Sequence, residues 1–280
     1  MARVDLKGSA TDPLVRLQAV LAELGPLVVA FSGGADSALL AAVATKALGS
    51  GQVLCATAVS ASLASEDRDH CAALAAEWGL RWVEVLTHEL ENPAYVRNDL
   101  ERCYHCKAEL MDVLAPLAAS EKATVALGVN LDDLYEHRPG QRAAGERGAV
   151  FPLVQAGLNK ATVRTVSQTI GLRTWDRPAA PCLASRVPHG TPVTFGILDR
   201  VGTAESSLRK LGFRELRVRH YGDVARLELP PEELDRAIAA REQIVAAVRA
   251  AGYKYVTLDL EGLRSGNLAR AAGAMTEGRR

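Results

Sequence analysis

The sequence predicts an α/β fold, a parallel sheet with helices on both faces, followed by a smaller α+β domain. Two observations support this class. Up to about residue 130, short apolar runs alternate regularly with helical segments, and beyond residue 195 strands and helices follow in a different order. Regular alternation is typical of parallel sheets, because each parallel strand needs a crossover connection before the next one. Ligands of such sheets bind at the carboxyl ends of the strands, so we expect functional residues there.

The first predicted helix begins at Thr11-Asp12-Pro13 and ends at Gly25-Pro26. An aspartate caps a helix start well, and proline is tolerated at the first helical position because an N–H has no helical partner there. Buried strands and helical segments then alternate. The strands are residues 27–31, QVLCATAVS, RWVEVLTH and ATVALGVN, and the helices between them are a segment ending near residue 48, SEDRDHCAALAAEWG and CYHCKAELMDVLAPLAA.

The remaining sequence predicts a long loop, a hinge and a second domain. Residues 131–147 are polar and glycine-rich, which predicts a functional loop. A helix capped by Asn159 follows, and the four prolines of residues 173–192 predict an irregular hinge. Helices are predicted over 195–211 and 232–250, with strands in ELRVRHYG, VARLELP and YKYVTLDL. The expected organisation is a first domain over 1–176, a cysteine-bearing hinge over 177–194, a substrate and oligomerisation domain over 195–264, and a disordered tail over 265–280.

Composition excludes several classes of protein. The 280-residue chain has 33 Lys and Arg residues and 33 Asp and Glu residues, so it has no global basic field for nucleic acid. No apolar run approaches the ~20 residues that span a bilayer, and the N-terminus lacks the apolar core of a secretory signal. We therefore expect a cytoplasmic protein without nucleic-acid or membrane partners, whose cysteines are reduced thiols, metal ligands or catalytic groups rather than disulfides. Cys55 and Cys71 are expected to be buried small hydrophobic residues.

The segment FSGGADS directly follows the first predicted strand. Two glycines allow the backbone to approach an oxyanion closely, two serines supply hydroxyls, and the start of the next helix adds partial positive charge. The spacing differs from the lysine-containing loop G-x-x-x-x-G-K-[ST] and from the dinucleotide motif G-x-G-x-x-G. The candidate anion-binding residues are Ser32, Gly33, Gly34, Asp36 and Ser37.

The pattern S-G-G-x-D-S resembles the PP-loop of the ATP pyrophosphatases, which cleave ATP to AMP and pyrophosphate. The resemblance implies that the five residues of this loop bind pyrophosphate and that Asp36 also serves Mg²⁺. The class includes NAD and GMP synthetases, tRNA thiolases and queuosine-precursor enzymes, so the loop alone does not identify the nucleophile. The alternative is an ordinary strand-turn-helix in which small residues only pack.

Cys182 lies in the proline-bounded segment PAAPCLASRVPHG, with Ser185 and Arg186 shortly after it. A guanidinium beside a thiol favours the reactive thiolate, and the same arginine can bind an anionic substrate. Arg217 and Arg219 fall on one face of a predicted strand, because strand side chains alternate. Two guanidiniums on one face either share an anion such as phosphate or lie on a solvated face. The spacing leaves both interpretations open.

Six segments together resemble the LarE family, the ATP-dependent sulfur transferases of nickel-pincer nucleotide cofactor biosynthesis. They occur in order from about residue 28 to residue 266, and the element PCLASR is far more specific than the PP-loop. The segments are FSGGADS, RCYHCK, LGVNLDDLYEHRPG, FPLVQAGLNKATVR, TWDRPAAPCLASRVPHG and VTLDLEGLRSG.

The LarE resemblance implies that ATP adenylates a carboxylate of pyridinium-3,5-biscarboxylate mononucleotide, and that sulfur then displaces AMP to leave a thiocarboxylate. In the single-cysteine form, Cys182 attacks and gives up its own sulfur, which consumes the protein. Glu205 matches a carboxylate that binds metal or helps this elimination, and the alternative is a helix-surface acid. The residues implied to hold the substrate phosphate are Ser185, Arg186, Arg217 and Arg219.

Cys103 and Cys106 form a C-x-x-C pair, followed by Lys107, at a predicted helix start. Two cysteines cannot complete a zinc site. With Cys182 they supply three thiolates, enough for a [4Fe–4S] cluster with one iron left open to deliver sulfide, and the chain resembles the LarE members of this type. The alternatives are a thioredoxin-like pair, or two ordinary thiols beside a sacrificial Cys182.

The segment GVNLDDLYEHRPG follows the fourth predicted strand. Gly128 would let the chain approach the nucleotide, and Asp132 and Asp133 are candidate Mg²⁺ or ribose ligands. Arg138 is a candidate for contact with phosphate or AMP. Lys107 is a further candidate for the ATP phosphates, or else a helix-surface lysine. The alternative for the segment is a solvated acidic loop.

Three other functions compete with sulfur transfer to a pyridinium. A PP-loop tRNA thiolase would need a basic surface. An ammonia-using synthetase of the NAD or GMP type would have no use for Cys182 or for the arginine pair, and a regulatory ATP sensor would release no pyrophosphate. The expected partners are the pyridinium mononucleotide, a sulfide or other sulfur donor, other enzymes of nickel-pincer cofactor synthesis, and further copies of this chain in a homo-oligomer.

Overall fold

The computed structural model describes residues 11–135 and 138–264, so the predicted tail over 265–280 lies outside the described residues. The chain forms two compact units, the first of Met1–Glu89 and Cys103–Ala180, the second of Leu90–Arg102 and Pro181–Arg280. The predicted first domain, 1–176, includes residues 90–102, whereas this segment belongs to the second unit. Its hydrogen bonds explain the difference: the Asn98 amide donates to the carbonyl groups of Pro188 and Thr191 at 2.9 and 2.8 Å.

Strands and helices alternate along the first unit, as predicted. In the described part of the chain the strands are β1 Leu27–Ala30, β2 Val53–Val59, β3 Trp82–Leu86, β4 Thr124–Leu127, β5 Arg217–Tyr221, β6 Val224–Glu228 and β7 Tyr255–Leu258. The helices there are α1 Pro13–Leu24, α2 Ala35–Leu48, α3 Ser65–Trp78, α4 Pro93–Val96, α5 Arg102–Glu121, α6 Pro139–Glu146, α7 Pro152–Gln155, α8 Lys160–Thr169, α9 Phe195–Lys210, α10 Leu234–Ala239 and α11 Arg241–Ala250.

The first unit is built on a parallel sheet with the strand order β3-β2-β1-β4. Neighbouring residues of a strand point to opposite faces of the sheet. Val29 of β1 packs on one face with Leu39 of α2, and Val28 packs on the other face with Leu114 of α5. Since Val28 and Val29 are both fully buried, helices cover the two faces and the predicted fold class is confirmed.

The second unit contains a three-stranded sheet in the order β5-β6-β7, in which β5 and β6 are antiparallel and β6 and β7 are parallel. Val218 of β5 packs with Leu208 of α9 and Val248 of α11 in one buried cluster. Strand alternation places Arg217 and Arg219 on the face opposite to Val218. The unit is therefore the small α+β domain that the sequence predicts.

Two segments differ from their predictions. The expected loop over 131–147 contains α6, because Pro139 occupies its first turn and Ala143 and Ala144 are fully buried. The expected helix over 232–250 consists of α10 and α11, which are interrupted at Ala240. Neither glycine nor proline occurs in residues 234–250, so no local signal marks this interruption.

The cysteines divide into buried and accessible thiols. Cys55 and Cys71 are fully buried, as predicted, and burial raises the pKa of Cys55 to about 12. All five cysteines lie in the described part of the chain and are thiols rather than disulfides.

Across the described helices, none is long and apolar enough to cross a membrane.

Candidate functional site

The glycine loop between β1 and α2 presents an uncapped helix start. Gly34 is the N-cap residue of α2 and supplies no side chain to bond the first N–H groups. The Ser37 hydroxyl accepts from the Ser32 N–H at 3.2 Å, lies 3.1 Å from the Ser32 hydroxyl, and donates to the Gly34 carbonyl at 3.3 Å. Two hydroxyls and the N–H groups of a 14-residue helix thus lie at one place, a suitable arrangement for an oxyanion.

Gly33 is required at its position for two reasons. Its φ of +67° lies in the left-handed region, which favours glycine. A Cβ atom there would lie 2.9 Å from His70 Cδ2 and 3.1 Å from Cys71 Sγ, so α3 packs directly against the loop. Burial, followed by the positive charge of Arg177, lowers the pKa of His70 to about 4. The histidine beside the loop is therefore neutral at physiological pH.

Asp36 lies in the first turn of α2 and accepts a hydrogen bond from the Asn130 side-chain amide at 2.9 Å. Burial raises the pKa of Asp36, the negative charge of Asp133 raises it further, and the Asn130 hydrogen bond opposes both. Asn130 follows β4, and the sequence analysis did not identify it. Its position directly after the fourth strand, at the end of the sheet where ligands bind, is the signal that could have found it.

Asn130 also organises the segment after β4. Its backbone N–H donates to Asp133 Oδ2 at 3.1 Å, and its side-chain oxygen accepts from the Asp132 N–H at 3.0 Å. Asp132 Oδ2 accepts from the Lys160 N–H at 2.8 Å, and Asp133 Oδ1 pairs with Arg138 Nη2 at 2.9 Å. Asp133 is buried, whereas Asp132 and Tyr135 are exposed, so only part of the segment is a solvated loop.

Gly128 and Gly140 allow close backbone contacts around this site. A Cβ atom on Gly128 would lie 2.8 Å from the Ser37 N atom, so the end of β4 packs against the first turn of α2. The glycine is thus required by contact within the protein, whereas the sequence analysis explained it by approach to the nucleotide. A Cβ atom on Gly140 would lie 3.0 Å from the Cys103 carbonyl oxygen and 2.8 Å from Lys107 Cγ, which places Lys107 on α5 against α6.

In the second unit, Cys182 is exposed and precedes the helical turn Leu183–Arg186. The Ser185 N–H donates to the Cys182 carbonyl at 2.9 Å. Arg186 Nη1 donates to the Pro181 carbonyl at 2.7 Å and to the Ser185 hydroxyl at 2.9 Å. The guanidinium therefore holds the chain on both sides of Cys182.

Glu205 is a fully buried carboxylate, so its interpretation as a helix-surface acid is wrong. Its two oxygens accept from Arg186 Nε at 2.8 Å and from Arg186 Nη2 at 3.2 Å. Arg209 Nη2 and the Val218 N–H donate to the same carboxylate, each at 3.0 Å. Glu205 thereby joins the Cys182 turn to α9 and β5.

Arg219 is buried, so a solvated strand face is the wrong interpretation for it. Its Nη2 pairs with Glu228 Oε2 at 2.9 Å, and its Nη1 donates to the Ser185 carbonyl at 2.6 Å. Arg217 donates to the Arg264 carbonyl at 3.0 Å. Burial, followed by the charges of Arg219 and Arg186, lowers the pKa of Arg217.

The second unit thus concentrates positive charge near the Cys182 turn. The buried carboxylates of Glu205 and Glu228 compensate only part of it. A cluster with excess guanidinium charge attracts phosphate or carboxylate groups. The guanidiniums of the cluster belong to Arg186, Arg209, Arg217, Arg219 and Arg226.

The predicted iron ligands belong to both units. Cys103 is exposed and Cys106 partly buried, both in the first unit, whereas Cys182 belongs to the second. Among the residues that the structure describes, no three His, Cys, Asp or Glu side chains gather into a group that could hold a metal ion. The two cysteines of α5 lie three residues apart, on neighbouring positions of one helix face.

Comparisons with known proteins cover nearly the whole chain. Residues 17–100 match a family model described as NAD synthase. An uncharacterised protein of Synechocystis is 44% identical over 92% of this chain and 97% of its own length, and one of Methanocaldococcus jannaschii is 25% identical over 85% and 91%. The pyridinium-3,5-bisthiocarboxylic acid mononucleotide synthase of Lactiplantibacillus plantarum is 34% identical over 90% of this chain and 92% of its own. The chain therefore belongs to the LarE family, the pyridinium-3,5-bisthiocarboxylic acid mononucleotide synthases, and carries a PP-loop domain.

Proposed function

We propose that this protein is an ATP-dependent sulfur transferase. It adenylates a carboxylate of pyridinium-3,5-biscarboxylate mononucleotide, releases pyrophosphate, and forms a thiocarboxylate for nickel-pincer cofactor synthesis. The name of the L. plantarum relative supports the product class. The observation that carries the proposal is the presence in one chain of an uncapped helix start after a glycine loop and an exposed thiol beside a turn bound by Arg186 and Arg219.

In the adenylation step, a substrate carboxylate oxygen attacks the α-phosphorus of ATP. The bond to the bridging oxygen breaks, and pyrophosphate leaves with the electron pair. The N–H groups at the start of α2 and the two loop hydroxyls stabilise the leaving pyrophosphate. Lys107, Gly128 and Arg138 are proposed to complete the ATP site. The proposed pyrophosphate-binding residues are Ser32, Gly33, Gly34, Asp36 and Ser37.

Mg²⁺ fits the residues around Asp36. This ion is held by one or two carboxylates together with substrate phosphates and several waters, so it needs no cage of three protein ligands. Burial and the nearby charge of Asp133 make the negative charge of Asp36 unfavourable, as its raised pKa indicates, and a cation would relieve this. Asp36 is the proposed first ligand. Asp132 and Asp133 are weaker candidates, because hydrogen bonds already engage both.

The substrate phosphate is proposed to bind to Ser185, Arg186, Arg217 and Arg219. Arg217 is the strongest of the four, because Arg186 and Arg219 already pair with buried carboxylates. The lowered pKa of Arg217 reflects burial and crowding by like charges. A bound phosphate would offset this repulsion.

Two routes are proposed for the sulfur step, and Cys182 has a different role in each. If the protein holds a cluster, Cys182 is a ligand and keeps its sulfur, whereas without a cluster Cys182 is the attacking group. Its thiolate attacks the acyl carbon and AMP leaves, which gives a thioester. Loss of the Cys182 Cα proton to water and cleavage of the Cβ–S bond would then leave dehydroalanine in the protein and the thiocarboxylate on the substrate. Glu205 is proposed to act through Arg186, because its carboxylate oxygens accept hydrogen bonds from guanidiniums.

A [4Fe–4S] cluster on Cys103, Cys106 and Cys182 is proposed as the source of sulfur in repeated turnover. Cys103 and Cys182 are exposed and Cys106 is partly buried. When bound, the cluster would supply an open iron site for sulfide. Iron and acid-labile sulfide per chain, measured after anaerobic purification, test this. About four of each, lost in Cys103→Ala, is the expected result, and no iron after reconstitution would mean that Cys182 gives up its own sulfur.

The Cys182→Ala variant tests the proposed function. It should form no thiocarboxylate, while pyrophosphate release that depends on the pyridinium substrate continues. Thiocarboxylate formation by this variant would contradict the role of Cys182. Absence of substrate-dependent pyrophosphate release in the unmodified protein would contradict the function itself.

The match of residues 17–100 to NAD synthase favours one second candidate, an ammonia-using synthetase. In that case Cys182→Ala would retain full activity with ammonia. A gel shift with bulk tRNA tests the alternative of a tRNA thiolase.

The protein is proposed to act in the cytoplasm as a homo-oligomer, with a sulfur donor and with other enzymes of the same cofactor synthesis.

A further inference from the structure

The segment Leu90–Arg102 belongs to the second unit, although the rest of that unit begins only at Pro181. It leaves the first unit after Glu89, forms α4, and turns at Asn98. Asn98 is fully buried and has φ of +55°, a left-handed conformation that asparagine tolerates better than most residues. A buried polar side chain in this conformation must be well hydrogen-bonded to persist.

Asn98 meets this requirement with the chain that follows Cys182. Its side-chain amide donates to the carbonyl groups of Pro188 at 2.9 Å and Thr191 at 2.8 Å. Its own carbonyl accepts from the Gly190 N–H at 3.0 Å. A single asparagine thus fixes residues 188–191 through both its side chain and its backbone.

Arg102 extends the contact to the Cys182 turn itself. Its Nη1 donates to Asn98 Oδ1 at 2.7 Å and to the Ala184 carbonyl at 2.8 Å. Arg102 is buried, and Ala184 lies two residues beyond Cys182. The guanidinium therefore couples Asn98 to the turn that presents the thiol.

We propose that Asn98 and Arg102 are positioning residues for the sulfur-transfer step. They hold the main chain after Cys182, while Arg186 donates to the Pro181 carbonyl before it and to the Ser185 hydroxyl after it. Neither residue would touch the reacting atoms. The inference rests on the proposed role of Cys182, and it assigns to the segment Leu90–Arg102 a part in the second half-reaction only.

The test compares two half-reactions in Asn98→Gly and Arg102→Lys. Glycine adopts a positive φ without strain, so Asn98→Gly removes the amide and keeps the turn. We expect pyrophosphate release and the KM values for ATP and pyridinium substrate to stay within about twofold, while the rate constant of thiocarboxylate formation at saturating substrate falls roughly ten- to a hundredfold. In Arg102→Lys, which keeps the charge and one donor group, the rate constant of thiocarboxylate formation should fall by a smaller factor.

The control is Asn92→Gly, in the same segment. Asn92 accepts a hydrogen bond from the Ala94 N–H at 2.9 Å, as the cap of α4, and should leave both half-reactions unchanged. Hydrogen exchange should rise over residues 183–193 in Asn98→Gly and nowhere else.

An equal loss of both half-reactions, or an unchanged rate of thiocarboxylate formation, would overturn the inference. Should Asn98→Gly not fold, Arg102→Lys decides by the same criteria. If the unmodified protein forms no thiocarboxylate, the proposed function fails instead.

Discussion

Arg186 binds both carboxylate oxygens of Glu205, with Nε 2.8 Å from Oε1 and Nη2 3.2 Å from Oε2. The ion pair is almost completely buried, at 6% and 0% side-chain exposure. The same guanidinium donates to the Pro181 carbonyl and the Ser185 hydroxyl beside Cys182. The turn that follows the exposed thiol is thus bound, through Arg186, to a carboxylate of α9.

Replacement of Glu205 by glutamine should destabilise the second unit, because it leaves a buried guanidinium without its anion. Breaking a buried pair costs about 3–5 kcal/mol in the free energy of unfolding, and the amide should recover part of this. Denaturant unfolding measures the change. Glu233→Gln is the control, since Glu233 pairs with Arg236 at the surface and such a pair contributes about 0–1 kcal/mol. Equal stability of the two variants would contradict the structural role of Glu205.

Asp36→Asn should abolish adenylation while the protein stays folded. The amide keeps an oxygen that can accept from Asn130 and removes only the negative charge that would hold Mg²⁺. We expect pyrophosphate release to fall at least about a hundredfold, the scale of lost metal-ion catalysis. Asp112→Asn is the control, because Asp112 forms an exposed pair with Arg147. Retained pyrophosphate release in Asp36→Asn would be incompatible with the PP-loop assignment.

Gly128→Ala should destabilise the first unit and slow adenylation together. The new methyl group would lie 2.8 Å from the Ser37 N atom, a backbone group that cannot move without displacing the first turn of α2. Overpacking of this kind costs about 1–3 kcal/mol. Gly51→Ala is the matched control in the same unit, because nothing lies within 4 Å of its Cβ position. Thermal unfolding and pyrophosphate release measure the difference. Gly128→Ala should unfold at a lower temperature and release pyrophosphate more slowly than Gly51→Ala.

In protein free of iron, the five thiols should differ sharply in reactivity. Cys55 and Cys71 are fully buried and burial raises the pKa of each, so neither offers a thiolate near pH 8. Cys103 and Cys182 are exposed and should react with iodoacetamide. Peptide mass spectrometry of native and denatured protein measures the pattern, and denaturation should expose all five. Labelling of Cys55 in the native protein at the rate of Cys182 would contradict the described core.

The features that could be predicted from sequence have local causes. Asp12 accepts from the Leu14 N–H and Asn159 from the Thr162 N–H, as their cap positions imply. The apolar run of β1 is buried on both faces, because Val28 and Val29 point to opposite sides of the sheet. Cap chemistry and strand burial depend on neighbours within a few residues, which the sequence displays directly.

The features that escaped prediction depend on distant partners. Asn130 contacts Asp36, which lies 94 positions away in the sequence, and the residues around Asn130 give no indication of this partner. Glu205 lies on an amphipathic helix, where an acid usually faces solvent, and its burial depends on Arg186 of a separate turn and on the Val218 N–H of β5. The interruption between α10 and α11 has no glycine or proline to mark it.

The contact between Asn98 and Thr191 has a consequence for synthesis on the ribosome. The two residues are 93 positions apart. Three strands of the parallel sheet precede Asn98, and the fourth, β4, lies between Asn98 and Thr191. Because synthesis proceeds at about 5–20 residues per second, roughly 5–20 s pass between the translation of Asn98 and that of Thr191. During that time a segment destined for full burial stays open to chaperones and proteases, so slow translation over residues 100–190 should lower the yield of native protein.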